Sequence, residues 1–183
     1  MAARLMNEKG YKGASVQEIS NLVGLHKSTL FHYFNRKEDI LRAVLETAIW
    51  KAIEFIEGIA NDKALSPEEK LKRAIFGHID WMVKYIDNVS VYHSEIRYLS
   101  GSNKRKYMRS RKQYESCLIR LIDQVKRQNS ENFKGLDSRI VAFGILGMVN
   151  WVVKWYNPKG PLKPKDIAKV FYRIVTEQMV VSN

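Results

Sequence analysis

Between Ser15 and Lys37 the apolar positions fall into two short helical registers separated by a glycine. Val16, Ile19 and Leu22 recur at three-residue steps and predict one apolar face. Ser15 with Glu18 three residues on forms a capping-box start, because hydroxyl and carboxylate together satisfy orphan amides at a helix N-terminus. Gly24 stands where the chain must leave that helix through positive φ. Leu25, Leu30 and Phe34 are then expected to face inward. His26, Lys27, Ser28, Thr29, His32 and Tyr33 are left outside. Ser20 is small enough for two helices to cross closely there. Asn35 with Glu38 predicts a second capping box. Lys37 falls in the first turn of the next helix, where the dipole disfavours a cation and a nearby anion would explain it.

The helical period continues to the end of the chain. From Glu38 to about Ala60, residues such as Ile40, Leu41, Val44, Leu45, Ile49, Ile53 and Ile56 mark one long amphipathic helix. Ser66-Pro67-Glu68-Glu69 starts another, running to about Asp87 and burying Ile75, Ile79, Met82, Val83 and Ile86. Trp81 and Tyr85 lie beside that stripe, as core aromatics or as ligand contacts. A shorter helix is expected over Tyr92–Leu99, and a break at Gly101-Ser102. Leu118, Leu121, Ile122 and Val125 then form a clear apolar face. Asp137 opens a helix that is hydrophobic nearly all round, which implies burial on several sides, with Gly144 and Gly147 allowing close approach. A last amphipathic helix covers Lys165–Val181, with Ile167, Val170, Phe171, Ile174, Val175 and Met179. The fold class is therefore all-α: a helix-turn-helix head over 1–45 and a helical body over 46–183. Two terminal helices with so much apolar surface suggest a self-complementary two-fold dimer seam.

Charge and composition sharpen this. In a helix-turn-helix the second helix enters the major groove. Lys27 offers a cation for phosphate or guanine, while Ser28 and Thr29 lie near a helix N-terminus whose amides also attract phosphate. His32 and Tyr33 carry polar tips on flat rings. The net charge of +12 suits a polyanionic partner. Yet the span 101–128 carries nine Lys/Arg against Glu115 and Asp123, so +7 lies there and not in the first 45 residues. The cluster Asn103–Lys112 is a solvated face, or a docking patch for an anionic effector or a second polyanion. A single cysteine, Cys117, excludes an intrachain disulfide and fits a reducing cytoplasm. The apolar run Ile140–Val153 falls short of a membrane span, and Met1–Asn7 is too short and mixed for a signal peptide. No nucleophile elbow, phosphate-cradling glycine loop or dinucleotide fingerprint occurs, and the four histidines have no zinc-ligand spacing. Neither an enzyme, a cofactor nor a metal site is expected.

The stretch GYKGASVQEISNLVGLHKSTLFHYFNRKEDIL resembles the DNA-binding domain of the TetR family of transcriptional regulators. Ser15, Val16, Glu18, Ile19, Gly24, Thr29, Leu30, Tyr33, Phe34 and Lys37 match its pattern. Phe31 stands where the family usually has Tyr, and His26 where a small residue is commoner. The family has about ten more residues upstream, so the chain is expected to begin late in the first helix. The resemblance implies a dimeric, ligand-responsive regulator, a repressor on a roughly palindromic operator, with the long helix after the head acting as a lever. Lys27, Tyr33 and Lys37 would contact phosphates. Ser28, Thr29 and His32 would discriminate bases, with Ser15 and Phe31 completing the interface. The C-terminal stretch GxxNWxxxWYNPKGPL resembles a TetR subgroup that responds to acyl-CoA thioesters and controls fatty-acid or sterol breakdown. It implies a small hydrophobic effector with Trp81, Tyr85, Tyr107, Phe143, Asn150, Trp151 and Trp155 as candidate contacts. Asn150 stands out because an amide in an apolar helix needs a partner. That partner could equally be a core backbone group. Two rival readings stay open: a non-specific basic DNA-binding protein, and a helical small-molecule carrier or enzyme with a vestigial head.

Overall fold

The structure, a computed structural model, describes residues 1–128 and 133–177, and every regular element among them is helical. In chain order these are α1 (Ala2–Gly13), α2 (Val16–Leu22), α3 (Lys27–Tyr33), α4 (Lys37–Asn61), α5 (Pro67–Lys84), α6 (Ile86–Glu95), a 3₁₀ turn (Ile96–Tyr98), α7 (Gly101–Gln128), α8 (Ser138–Trp155) and α9 (Pro164–Thr176). They form two compact units. The first contains Met1–Lys51 and Tyr85–Arg111; the second contains Ala52–Lys84 and the chain from Lys112 onward. Compactness thus groups the chain differently from the division at residue 45 expected on functional grounds. The unit around the head also takes in α6 and the start of α7.

In the first unit a single core gathers Leu5, Met6, Ala14, Ile19, Leu30, Ile40, Leu41, Val44 and Leu45 with Val91, Leu99 and Tyr107. α6 packs on α1. α1 is kinked at Gly10 (φ 71°, ψ 163°), and at the kink the Tyr11 amide donates to Oε2 of buried Glu95 at 3.2 Å. Asn88 Nδ2 donates to the Val44 carbonyl at 2.7 Å and so joins α6 to α4. The start of α7 is held by acids of α4. Ser100 N donates to Glu38 Oε1 at 2.7 Å, and Asn103 Nδ2 to Asp39 Oδ1 at 2.9 Å. The expected Asn35/Glu38 box is accordingly replaced. Asp39 accepts from the Arg36 amide at 3.0 Å, one residue later than predicted, because Glu38 is engaged by Ser100.

In the second unit α5 packs against both α8 and α9. α5 begins as predicted, with Ser66 Oγ accepting from the Glu69 amide at 3.2 Å. It stops at Lys84, before the expected Asp87, because Tyr85 (φ −114°, ψ 33°) leaves helical geometry. Trp81 and Tyr85 therefore do not share one continuous helix. α8 departs from the expected all-round burial. Ala142, Ile145, Leu146, Val149 and Val152 are buried, whereas Ile140, Phe143, Trp151 and Trp155 remain exposed. On α9, Ile167 is buried while Val170 and Ile174 are exposed. Met179 and Val181, expected to extend that helix, lie outside the described residues.

Gly77, inside α5, lies directly against Phe55: a Cβ there would collide with the Phe55 ring. Gly77→Ala should lower stability by about 1–3 kcal/mol, the usual range for overpacking. In a Phe55→Ala background the same change should raise it by about 1 kcal/mol, the helix propensity of Ala over Gly. Denaturant unfolding of the four proteins checks both signs.

Candidate nucleic-acid interface and a buried polar network

The helix-turn-helix is built from local chemistry. Ser15 Oγ accepts from the Glu18 amide at 3.1 Å, and Glu18 Oε2 accepts from the Ser15 amide at 2.9 Å, so the capping box is complete. Glu18 also accepts from Lys9 Nζ at 2.5 Å; that bond, together with those from Ser15, draws its carboxyl down to about 2. α2 ends in a Schellman turn. Leu25 N donates to Ser20 O at 3.0 Å and Gly24 N to Asn21 O at 3.2 Å, with Gly24 at φ 71°. Ser20 is fully buried, and its hydroxyl donates to the Gln17 carbonyl at 2.8 Å.

α3 turns its polar side to solvent. Lys27, Ser28 and His32 are exposed, Thr29 is half-buried, and Tyr33 is 72% exposed. His32 packs edge-on to Tyr33 with ring centroids 5.5 Å apart. Phe31 is exposed too, in line with this face. Leu30 alone of the helix is buried. Leu25, expected inside, is 41% exposed, and Leu22 is 46% exposed. The turn carries Leu25 past the core, whose inward places are filled by Ala14, Ile19, Ser20 and Leu30.

Lys37 is placed differently from the other cations. Its Nζ donates to the Lys12 carbonyl at 3.2 Å near the end of α1 and lies 4.6 Å from the Tyr11 ring centroid. Burial pushes its pKa down, countered by Glu18. These partners, not an outside anion alone, account for a lysine in the first turn of α4.

The second unit holds a polar network that sequence reading found only at one end. Asn150 Oδ1 lies 3.3 Å from His78 Nε2, and Tyr114 Oη lies 2.7 Å from His78 Nδ1. The partner of Asn150 is thus a side chain and not a backbone group. One neutral tautomer satisfies all three: Tyr114 donates to Nδ1, and Nε2–H donates to Asn150. Burial pushes His78 down to about 4, partly opposed by the Asn150 bond, and pushes the Tyr114 phenol well up. His78 and Tyr114 carried no sequence signal beyond lying on the inner faces of their helices. Of the other candidate effector contacts, Trp81 is half-buried with Lys84 Nζ 5.6 Å from its ring centroid. Phe143, Trp151 and Trp155 lie on the exposed side of α8. Tyr85 and Tyr107 belong to the first unit, where Tyr107 is buried with its ring 5.6 Å from that of Tyr92. The candidates are thus divided between the two units. Cys117 is buried, and burial pushes its thiol up. Among the described residues no cluster of three metal-ligating side chains occurs, and no helix is long and apolar enough to cross a membrane.

The depressed His78 predicts a pH dependence. Below its ordinary 6.5 the unfolded chain takes up a proton that the folded protein refuses until about 4. Stability from this site is full above pH 6.5 and declines as pH falls toward 4, by up to about 3 kcal/mol. Thermal unfolding across that range should show this slope in the wild type and a flatter one in His78→Gln.

Comparison with known proteins agrees with both halves of the chain. Residues 1–44 match the bacterial regulatory proteins of the tetR family, and residues 64–179 match the tetracyclin repressor-like C-terminal domain. The chain is 25% identical over 178 residues to the HTH-type transcriptional repressor KstR2 of Mycolicibacterium smegmatis, covering 96% of this chain and 85% of that protein. It is 27% identical over 152 residues to the fatty acid metabolism regulator protein of Bacillus subtilis, covering 83% and 77%. The crystal structure of AibR in complex with isovaleryl coenzyme A and operator DNA superposes with a TM-score of 0.83 at 27% identity, covering 96% of this chain and 94% of that one. With the head and most of the body matched, the chain belongs to the tetR family of bacterial regulatory proteins, DNA-binding regulators of transcription.

Proposed function

We propose that this protein is a cytoplasmic, homodimeric repressor that holds a palindromic operator and releases it on binding an acyl-CoA thioester. The observation that carries the reading is the solvent-facing polar side of α3, on a chain similar from end to end to a regulator seen with operator DNA and an acyl-CoA. Lys27 and Tyr33 supply backbone affinity; Ser28, Thr29 and His32 read bases, with Ser15 and Phe31 at the margin. Lys37 contributes by fixing the start of α4 against α1, and to phosphate through its remaining N–H groups.

The exposed side of α8 supports the dimer. Ile140, Phe143, Trp151 and Trp155 recur at helical spacing on it, Gly144 and Gly147 lie between them with open space above, and Val170 and Ile174 repeat the pattern on α9. A second copy covering this face buries it by two-fold symmetry. Effector binding belongs to the second unit, where Trp81 and Asn150 are the best-placed of the candidates. It can release DNA only to the extent that it prefers the geometry that does not bind DNA. The fatty acid metabolism regulator among the relatives and the AibR complex with isovaleryl coenzyme A support an acyl thioester as the effector.

Selection from random duplexes should return a two-fold symmetric site that binds two protomers. Thr29→Ala or His32→Ala should relax preference at defined bases, at about 1–3 kcal/mol per lost base contact, while Lys27→Ala weakens all sequences alike. Uniform weakening by every variant would instead mark a non-specific basic protein. Calorimetry with a chain-length series of acyl-CoA thioesters checks the effector. One length class should bind, raise the melting temperature and release the duplex; a flat series would rule thioesters out.

A further inference from the structure

The basic run that sequence analysis set apart from the head is divided by the fold. Lys104, Arg105, Lys106, Arg109 and Arg111 belong to the compact unit that contains the helix-turn-helix. Within that unit, Met1–Lys51 carries eight Lys/Arg against five Asp/Glu, a net charge of +3. Tyr85–Arg111 adds six against two, or +4, and so more than doubles the charge of the head.

Part of this charge converges on a cleft of about 330 Å³ lined by residues of α3 and α4 with the turn between them, and by the first turns of α7. Tyr33 closes α3, Asn35 and Arg36 lie in the turn before α4, Asp39 and Arg42 on α4, and Ser102, Asn103 and Lys106 on α7. Its groups are not equivalent. Asp39, the single acid, has one carboxylate oxygen on Asn103 Nδ2 at 2.9 Å and the other on the Arg36 amide at 3.0 Å. Arg42 pairs with Glu46 through Nη1. Among the described residues the head groups of Arg36 and Lys106 form no hydrogen bond or close ion pair; Lys106 lies within electrostatic reach of Glu46 and Arg36 of Asp39, both acids that already accept from other groups. The N-terminus of α7, a helix of 28 residues, opens at the same place; Glu38 already takes the Ser100 amide just before it, and the amides that follow add their partial positive charge. Tyr33 is both a wall of this cleft and the last residue of α3, so the cleft continues from the exposed face of the recognition helix.

The geometry points to a phosphate site: Arg36 and Lys106, with the N-terminus of α7, take a phosphate of the operator backbone flanking the bases read by α3. This rests on the reading of α3 as a DNA-contacting helix and extends the interface to a part of α7 that the helix-turn-helix motif does not include. The contact is independent of sequence, because phosphates carry no base information.

The test is operator binding by fluorescence anisotropy over a KCl series, for wild type, Arg36→Gln, Lys106→Gln and Thr29→Ala, with thermal unfolding to confirm that each variant is folded. Loss of one phosphate contact should lower the slope of log K against log salt by about 0.9, which is roughly eightfold in affinity near 0.1 M salt. Arg36→Gln and Lys106→Gln should do this equally for the operator and for an unrelated duplex, whereas Thr29→Ala should change preference between the two. Wild-type affinity and slope in both glutamine variants would overturn the proposal while leaving the reading of α3 intact. So would loss only of the thermal stabilisation given by inorganic phosphate or free coenzyme A, which would assign the cleft to a free phosphorylated molecule. Failure of the wild type to bind any duplex would overturn the reading of α3 and this proposal together.

Discussion

A helix of seven residues does not persist in water by itself, because one or two closed turns do not offset the cost of nucleating them. α2 and α3 are both seven residues long, so the surface proposed to meet DNA exists only as long as something else holds it. That constraint explains the construction of the first unit. α3 contributes one buried side chain, Leu30, and presents the rest to solvent. The rigidity comes from elements on either side: Met6 of α1, Ile19 of α2, Leu41 and Leu45 of α4, and Val91, Leu99 and Tyr107 from much later in the sequence. Turn chemistry at Gly24, the Ser15/Glu18 box and the Lys37 bond to the end of α1 then fix the angles.

The same constraint separates cations by task. Lys37 and Lys9 are committed within the unit, to the Lys12 carbonyl and to Glu18. Arg42 is committed to Glu46. What remains exposed on α3, and in the cleft beside it, is a smaller and more directed set than a net charge of +12 suggests. Acids are committed likewise: Glu38 and Asp39 hold the start of α7, and Glu95 holds the kink of α1. α4 and α7 each contribute residues to both compact units. The second unit follows a different rule. Among the described residues its core is mostly apolar, broken by the Asn150, His78 and Tyr114 network and by buried Lys70, which donates to the Ala60 carbonyl, and much apolar surface is on the outside of α8 and α9.

Much of this was legible in the sequence, because the signals were local. Capping at Ser15 and at Ser66, the glycine turn at Gly24, the long period of α4 and the polar side of α3 are all set by residues within a few positions of one another. What could not be read depended on partners far along the chain. Glu38 pairs with Ser100 and not with Asn35; Lys37 folds back onto α1; His78 completes Asn150 across 72 positions. Periodicity showed that α8 is apolar on both sides, but not that one chain covers only one of them. It also assigned the cluster after Asn103 by its place in the sequence, whereas the fold brings most of it into the head.

The proposed DNA recognition rests on the polar side of α3 meeting a duplex. Its most direct measurement is amide chemical-shift mapping of the labelled protein during titration with a selected operator. The largest changes should fall on Lys27–Tyr33 and the turn before it, with weaker ones in the buried core. Changes concentrated on α8 and α9, with α3 unaffected, would contradict it.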